Sequence, residues 1–143
     1  DQEVLALAQR VKAQAGVPEI LVNNAGIGYF GQFLHTPPAA WRRVLDVNVM
    51  GVVHGVRAFL SAMRDAGGER WVVNVASTAG FAPAPSMSAY AASKHAVVGL
   101  SEVLAMELEG SGGQAGRGRL DVGHGIPQCG VARDREHLRG YPD

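Results

Sequence analysis

The sequence predicts an α/β chain: a doubly wound parallel sheet covered by helices. Three observations point there. Two short apolar runs, Glu19-Ile20-Leu21-Val22-Asn23 and Trp71-Val72-Val73-Asn74-Val75, have the length and β-branched content of buried parallel strands. Helical patterns precede, separate and follow them, giving the order helix, strand, helix, strand, helix. The connections are too short for anything but neighbouring elements, and this alternation places helices on both faces of the sheet.

In chain order, Asp1 is suited to cap a first helix. Val4, Leu5, Leu7, Ala8 and Val11 give it an apolar stripe that runs to about Ala15. Gly16 and Pro18 end it, and the first strand follows. That strand closes on Asn23-Asn24-Ala25-Gly26, after which a loop continues to His35. Thr36-Pro37 reads as a cap followed by proline at the first helical position. The long helix beyond has a broad apolar face, with Trp41, Val44, Leu45, Val49, Val52, Val53, Val56, Phe59, Leu60 and Met63. Gly51 and Gly55 interrupt it and Gly67-Gly68 stops it. The second strand runs to Val75, with Ser77 just past its end. A loop through Phe81, Pro83, Pro85 and Met87 leads to a last helix, capped by Ser88, over Ala89 to Glu109.

After Glu109 the texture changes. Residues 110–143 hold nine glycines in 34 positions and no lysine, and Leu120-Asp121-Val122 and the piece around Ile126 are the only apolar fragments. Such a segment buries little, so an irregular Gly/Arg-rich tail outside the domain of residues 1–109 is expected. Its arginine- and glycine-rich texture resembles GC-rich coding sequence read in a shifted frame.

With 143 residues, 47% of them hydrophobic, and no formal net charge, the chain suits one soluble domain. Nothing in that balance draws it to nucleic acid or an anionic membrane. No apolar run reads as a membrane span. The single cysteine, Cys129, has no partner for an internal disulfide, which fits a reducing, cytoplasmic setting. His35, His54 and His95 lack acidic or cysteine neighbours at ligand spacing, so no metal site is expected.

Chemistry concentrates in Ser86-Met87-Ser88-Ala89-Tyr90-Ala91-Ala92-Ser93-Lys94. Tyr90 and Lys94, four apart, stand on one helix face. An ammonium held near a phenol favours the phenolate, which suits Tyr90 to general acid–base work. Ser77 lies thirteen residues before Tyr90. Asn48, inside the long helix with Gly51 three residues on, is unfavourable on propensity and suggests a local irregularity.

Asn23-Asn24-Ala25-Gly26, Asn48 within Asp46-Val47-Asn48-Val49-Met50-Gly51, Ser77 and Tyr90-x-x-x-Lys94, in that order, resemble the short-chain dehydrogenase/reductase family. The resemblance covers residues 1 to about 109, the middle of a longer Rossmann-like, three-layer α/β/α fold. It implies an oxidoreductase that interconverts a secondary alcohol and a ketone with NAD or NADP. Tyr90 would be the acid or base, and Ser77 would hydrogen-bond the substrate oxygen. Lys94 would support Tyr90 and hold the nicotinamide ribose. Asn48 would hold a water in a proton relay, and Asn23, Asn24, Ala25 and Gly26 would shape the strand end beside the cofactor. Homodimers or homotetramers through the two long helices are implied as well.

Asn74 reads as a structural hydrogen-bonding residue and Ser93 as a packing or local hydrogen-bonding one, while Tyr29, Phe81 and Met87 flank the site and are candidates to line a substrate pocket. Gly26-Ile27-Gly28-Tyr29-Phe30-Gly31 matches G-x-G-x-x-G, but a dinucleotide fingerprint must open a helix directly and this run does not. Gly112, Gly116 and Gly118 follow a helix and are set aside for the same reason. The family's phosphate-binding strand–turn–helix would precede Asp1, and its strand after the Tyr–Lys helix is expected to be missing. The second reading is therefore a catalytically inactive fragment of the same fold acting as a binding or regulatory module. A third is an epimerase or dehydratase sharing the Tyr–Lys pair.

Overall fold

The computed structural model describes residues 2–110 and 120–125. Four α-helices and three strands alternate along them: α1 (Gln2–Ala15), β1 (Ile20–Asn23), α2 (Pro38–Leu45), α3 (Gly51–Ala66), β2 (Arg70–Val75), α4 (Ser88–Gly110) and β3 (Leu120–Gly125). Short 3-10 turns occupy Phe33–His35 and Thr78–Gly80. The cap expected at Asp1 lies outside the described residues, as do Gly112, Gly116 and Gly118.

The three strands form one parallel sheet in the order β1-β2-β3, with Asn23 opposite Asn74 and Arg70 opposite Leu120. β3 corrects the expectation that no strand follows the Tyr–Lys helix, while the rest of the expected irregular tail, residues 111–119 and 126–143, lies outside the described residues. Leu120-Asp121-Val122-Gly123-His124-Gly125 has little strand propensity of its own. A vacant edge on β2 nonetheless gives it a six-residue main-chain ladder, and tertiary pairing overrides propensity.

Among the described residues, the helices lie on one face of this sheet, as expected for part of a doubly wound fold. Ala8 of α1, Ala58, Phe59 and Met63 of α3 and Val72 of β2 form one core cluster, joined by Leu21 of β1. Val52 of α3, Ala76, and Val97 and Val98 of α4 form a second. On the opposite face Ile20 and Val22 are 58% and 54% exposed. The reason is topological. Strands added in one direction by right-handed crossovers put every crossover helix on the same side, and only a reversal of strand order moves helices to the other.

The long middle helix departs from the sequence reading twice. Thr36 does not cap it: its hydroxyl donates back to Gln32 O at 3.0 Å, Pro37 takes the cap position, and Pro38 begins the helix. Between α2 and α3, Asp46–Met50 forms a π turn in which Gly51 N–H donates to Asp46 O. This is the irregularity that Asn48 foreshadows. Taken through that turn, Pro38–Ala66 spans 29 residues and is long and apolar enough to cross a membrane by length and composition alone. Its apolar side supplies Val52, Ala58, Phe59 and Met63 to the two core clusters, the pattern of a core helix.

Candidate active site

The site forms at the carboxyl ends of β1 and β2, where open α/β sheets bind ligands. β1 ends in Asn23, whose side chain does not point to solvent. Its Nδ2 donates to Asn74 Oδ1 at 2.8 Å, Asn74 Nδ2 donates to Ser101 Oγ at 2.9 Å, and that hydroxyl donates to Val97 O at 2.7 Å. This buried ladder ties β1 to β2 and β2 to α4. α3 closes on it from above, with Gly55 so near that any side chain there would collide with Asn23. Asn24, Ala25 and Gly26 then emerge exposed at the strand end.

Asn48 is 1% exposed and holds the next stretch of loop. Its Oδ1 accepts from Ile27 N–H at 2.8 Å, and its Nδ2 donates to Ile27 O at 2.9 Å and to Ser93 Oγ at 2.9 Å. Ser93 Oγ in turn donates to Tyr90 O at 2.7 Å. The side-chain amide is thus committed to protein partners, and a water held by Asn48 would need its main chain. Ser93 reaches further than a local contact: it joins the first turn of α4 to the π turn and, through Asn48, to Ile27.

Tyr90 and Lys94 face one way from α4, with Lys94 Nζ 5.8 Å from the centre of the Tyr90 ring. Lys94 is buried, and its ammonium donates to Val75 O at 2.8 Å. Burial pushes its pKa below the ordinary 10.5, because desolvation disfavours the charged form. A Cβ placed on Gly26 would lie 3.5 Å from both Lys94 Nζ and Asn48 Oδ1, so bare backbone fills the space over the ammonium. Ser77 leaves β2 in extended conformation and its Oγ accepts from Ala79 N–H at 3.2 Å, capping the turn Thr78–Gly80. That turn lies against α4, since a Cβ on Gly80 would come within 3.0 Å of Lys94 O.

Two loops wall the site. Gly31 N–H donates to Ser86 O at 2.9 Å, tying the loop after β1 to the loop before α4. Ser86 takes a left-handed φ of 65° to present that carbonyl. Gly28 sits between rings: a Cβ there would meet Phe30 Cε2 at 3.3 Å and Tyr90 Cδ2 at 4.0 Å. Between Ile27–Tyr29 and Ala39, Ala40, Arg43 and Val44 of α2 lies a cavity of about 450 Å³. His95 makes a local contact, its Nδ1 within 2.9 Å of Ala91 O.

The family model of the short chain dehydrogenases matches residues 1–112. The chain belongs to that family. A probable oxidoreductase, EphD, of Mycobacterium tuberculosis is 49% identical over 111 residues, which are 78% of this chain and 19% of that protein. A D-beta-hydroxybutyrate dehydrogenase of Rhizobium meliloti is 34% identical over 110 residues, 77% of this chain and 42% of that one. A short-chain dehydrogenase/reductase from Burkholderia phymatum, solved in complex with NAD, superposes with a TM-score of 0.81 at 39% identity. The match covers 87% of this chain and 43% of that one. A metagenomic short-chain oxidoreductase in complex with NADP gives 0.76 at 35% identity, covering 90% of this chain and 55% of that one. The chain thus spans about a fifth of the first of these dehydrogenase-family relatives and about two fifths of the second. The Rossmann-like α/β fold is shared with these solved structures.

Proposed function

We propose that this short-chain dehydrogenase catalyses the NAD- or NADP-dependent interconversion of a secondary alcohol and a ketone. The observation that carries the reading is the Tyr90–Lys94 pair on one face of α4, with the ammonium 5.8 Å from the ring and backbone alone, at Gly26, over it. The donor set fits the nicotinamide-ribose end of such a cofactor. Lys94 has ammonium protons beyond the one given to Val75 O, and Gly26 leaves room for a sugar to approach. Asn23 would act by holding the strand end through Asn74, leaving Asn24, Ala25 and Gly26 to face the cofactor.

When bound, the nicotinamide supplies hydride chemistry, accepting or giving the hydrogen on the carbinol carbon. In the oxidising direction Tyr90 takes the hydroxyl proton as that carbon's C–H electron pair departs and the C=O bond forms. In reduction Tyr90 gives the proton back to the carbonyl oxygen. Ser77 stabilises the charge on the same oxygen, its hydroxyl hydrogen being free to point there while its lone pair accepts from Ala79. Lys94 keeps its ammonium beside the Tyr90 ring. Asn48 completes a proton relay through its main chain. We further infer a cytoplasmic homodimer or homotetramer in the whole protein, supported by Val103 and Met106, one turn apart and half exposed on α4.

The test is Tyr90→Phe, assayed by the change in nicotinamide absorbance against a panel of alcohols and ketones. Loss of the proton carrier lowers kcat by about 10²–10⁴. A variant as fast as the parent removes Tyr90 from the chemistry. Cofactor binding without turnover in the parent itself would mark a binding module instead.

A further inference from the structure

Among the described residues, the two loops that wall the site carry no charge. From Ile20 to Trp41, and again from Trp71 to Ser93, the chain has no Asp, Glu, Lys or Arg. Those two spans contain the strand ends, both loops tied together at Gly31 and Ser86, and Tyr90 itself. The cation between them, Lys94, is buried and bonded to Val75 O. A substrate carboxylate or phosphate beside Tyr90 would lose its water and meet no counter-charge on these loops, a penalty of the kind that drives buried charges to pair.

What the loops present instead is apolar. Phe30 is 73% exposed although its ring borders Gly28, the residue that also touches Tyr90. Tyr29 on the same loop and Met87 on the loop tied to it are half-buried, and Phe81 is 51% exposed. Behind Tyr29 the cavity of about 450 Å³ continues the surface, with Ile27, Ala39, Ala40 and Val44 on its walls. Its size and lining are those of small-molecule pockets, which are mainly apolar with few polar groups. Arg43 is its one charged residue and sits on α2, outside both uncharged spans.

We propose that the substrate is an uncharged secondary alcohol or ketone bearing an alkyl chain, with Phe30 as a specificity-determining residue that packs on that chain beside the reacting carbon. The assignment rests on Tyr90 being the acid–base group, and it names the substrate class for that same site. Each methylene that leaves water against Phe30 and the cavity wall tightens binding roughly fourfold.

The test is a homologous series of methyl-carbinol alcohols of growing chain length, set against β-hydroxybutyrate, with the purified protein and either cofactor. kcat/KM is expected to climb by roughly fourfold per methylene over the first additions and to exceed the value for the acid. Phe30→Ala is expected to flatten that climb, chiefly through KM. Phe30 is exposed, so this variant keeps its fold. A second readout needs no turnover: methyl alkyl ketones added to the protein should shift the ring signals of Phe30 and Tyr29, and acetoacetate should not. A flat series, or preference for the acid, overturns the substrate class and leaves the Tyr90 chemistry standing. Ketone binding at Phe30 without turnover of any alcohol keeps the substrate class and fells the hydride-transfer reading. The absence of both ketone binding and a chain-length trend overturns the proposal.

Discussion

Gly55→Ala gives the sharpest test of how the strand end is built. A methyl group on this residue of α3 would collide with the Asn23 side chain, which has nowhere to go while it donates to Asn74. Asn23 must swing away, and Asn74, 0% exposed, is left with a buried amide oxygen that has lost its donor. Orphaning that acceptor costs about 1–3 kcal/mol. Strain of the added carbon costs about 1–3 kcal/mol more. The gain from replacing a helical glycine by alanine returns about 1 kcal/mol. The net expectation is a loss of about 1–5 kcal/mol, read as a lower urea midpoint from the fluorescence of Trp41 and Trp71. Gly51 on the same helix and Gly99 on α4 are the controls, because a Cβ at either meets nothing within 4 Å. Alanine there should stabilise by up to about 1 kcal/mol. Removing the obstacle should rescue the damage: the Gly55→Ala, Asn23→Ala double variant should show a coupling of at least about 1 kcal/mol. If Gly55→Ala matches its two controls, the close approach of α3 to β1 is wrong.

Two further substitutions probe the sheet and the ammonium. Arg70 donates to Gly67 O at 2.7 Å, Pro18 O at 2.9 Å and Val17 O at 3.1 Å, clamping the turns that enter β1 and β2. Arg70→Ala should cost about 1–3 kcal/mol by urea unfolding, and Arg70→Lys should recover less than half, since an ammonium cannot copy the guanidinium fork. Equal stability of the lysine and arginine forms would show that charge alone matters there. Lys94 has its folded pKa lowered by burial, so between that value and 10.5 the unfolded chain binds more protons than the folded one. Stability therefore rises with pH across that window, and Lys94→Met should abolish the rise. A parent whose urea midpoint falls relative to that of the variant as the pH approaches 10.5 would refute the sign.

Sequence patterning resolved what depends on neighbours along the chain. β1 and β2 were visible because parallel strands buried in a sheet read as continuous apolar runs, and the Tyr90–Lys94 face followed from helical spacing. What stayed hidden depends on partners far away in sequence. β3 owes its existence to the edge of β2, so its own two glycines concealed it. Ser93 looked local because its partner Asn48 is 45 residues away. Thr36 has the side chain of a cap and spends it on Gln32 instead. That the described helices all lie on one sheet face follows from strand order, which periodicity does not report. Asn48 was legible as an anomaly, and its cause, a side chain bonded to Ile27 and Ser93 from inside a π turn, was not.

The π turn also sets the timing of the helix pair around it. One surplus residue in a turn delays everything downstream by about 100°. Val44 and Met63, each 1% exposed, are nineteen residues apart, a spacing that would leave them out of step on a straight α-helix. With the surplus residue absorbed, the remaining eighteen make about five whole turns, and the two side chains come back into phase. The apolar face looks broad in the sequence because two stripes of different phase are written end to end. A single-residue deletion between Asp46 and Met50 would give a more regular helix and a worse protein: α3 would arrive rotated, Gly55 would leave Asn23, and the strand end would lose the surface it rests on.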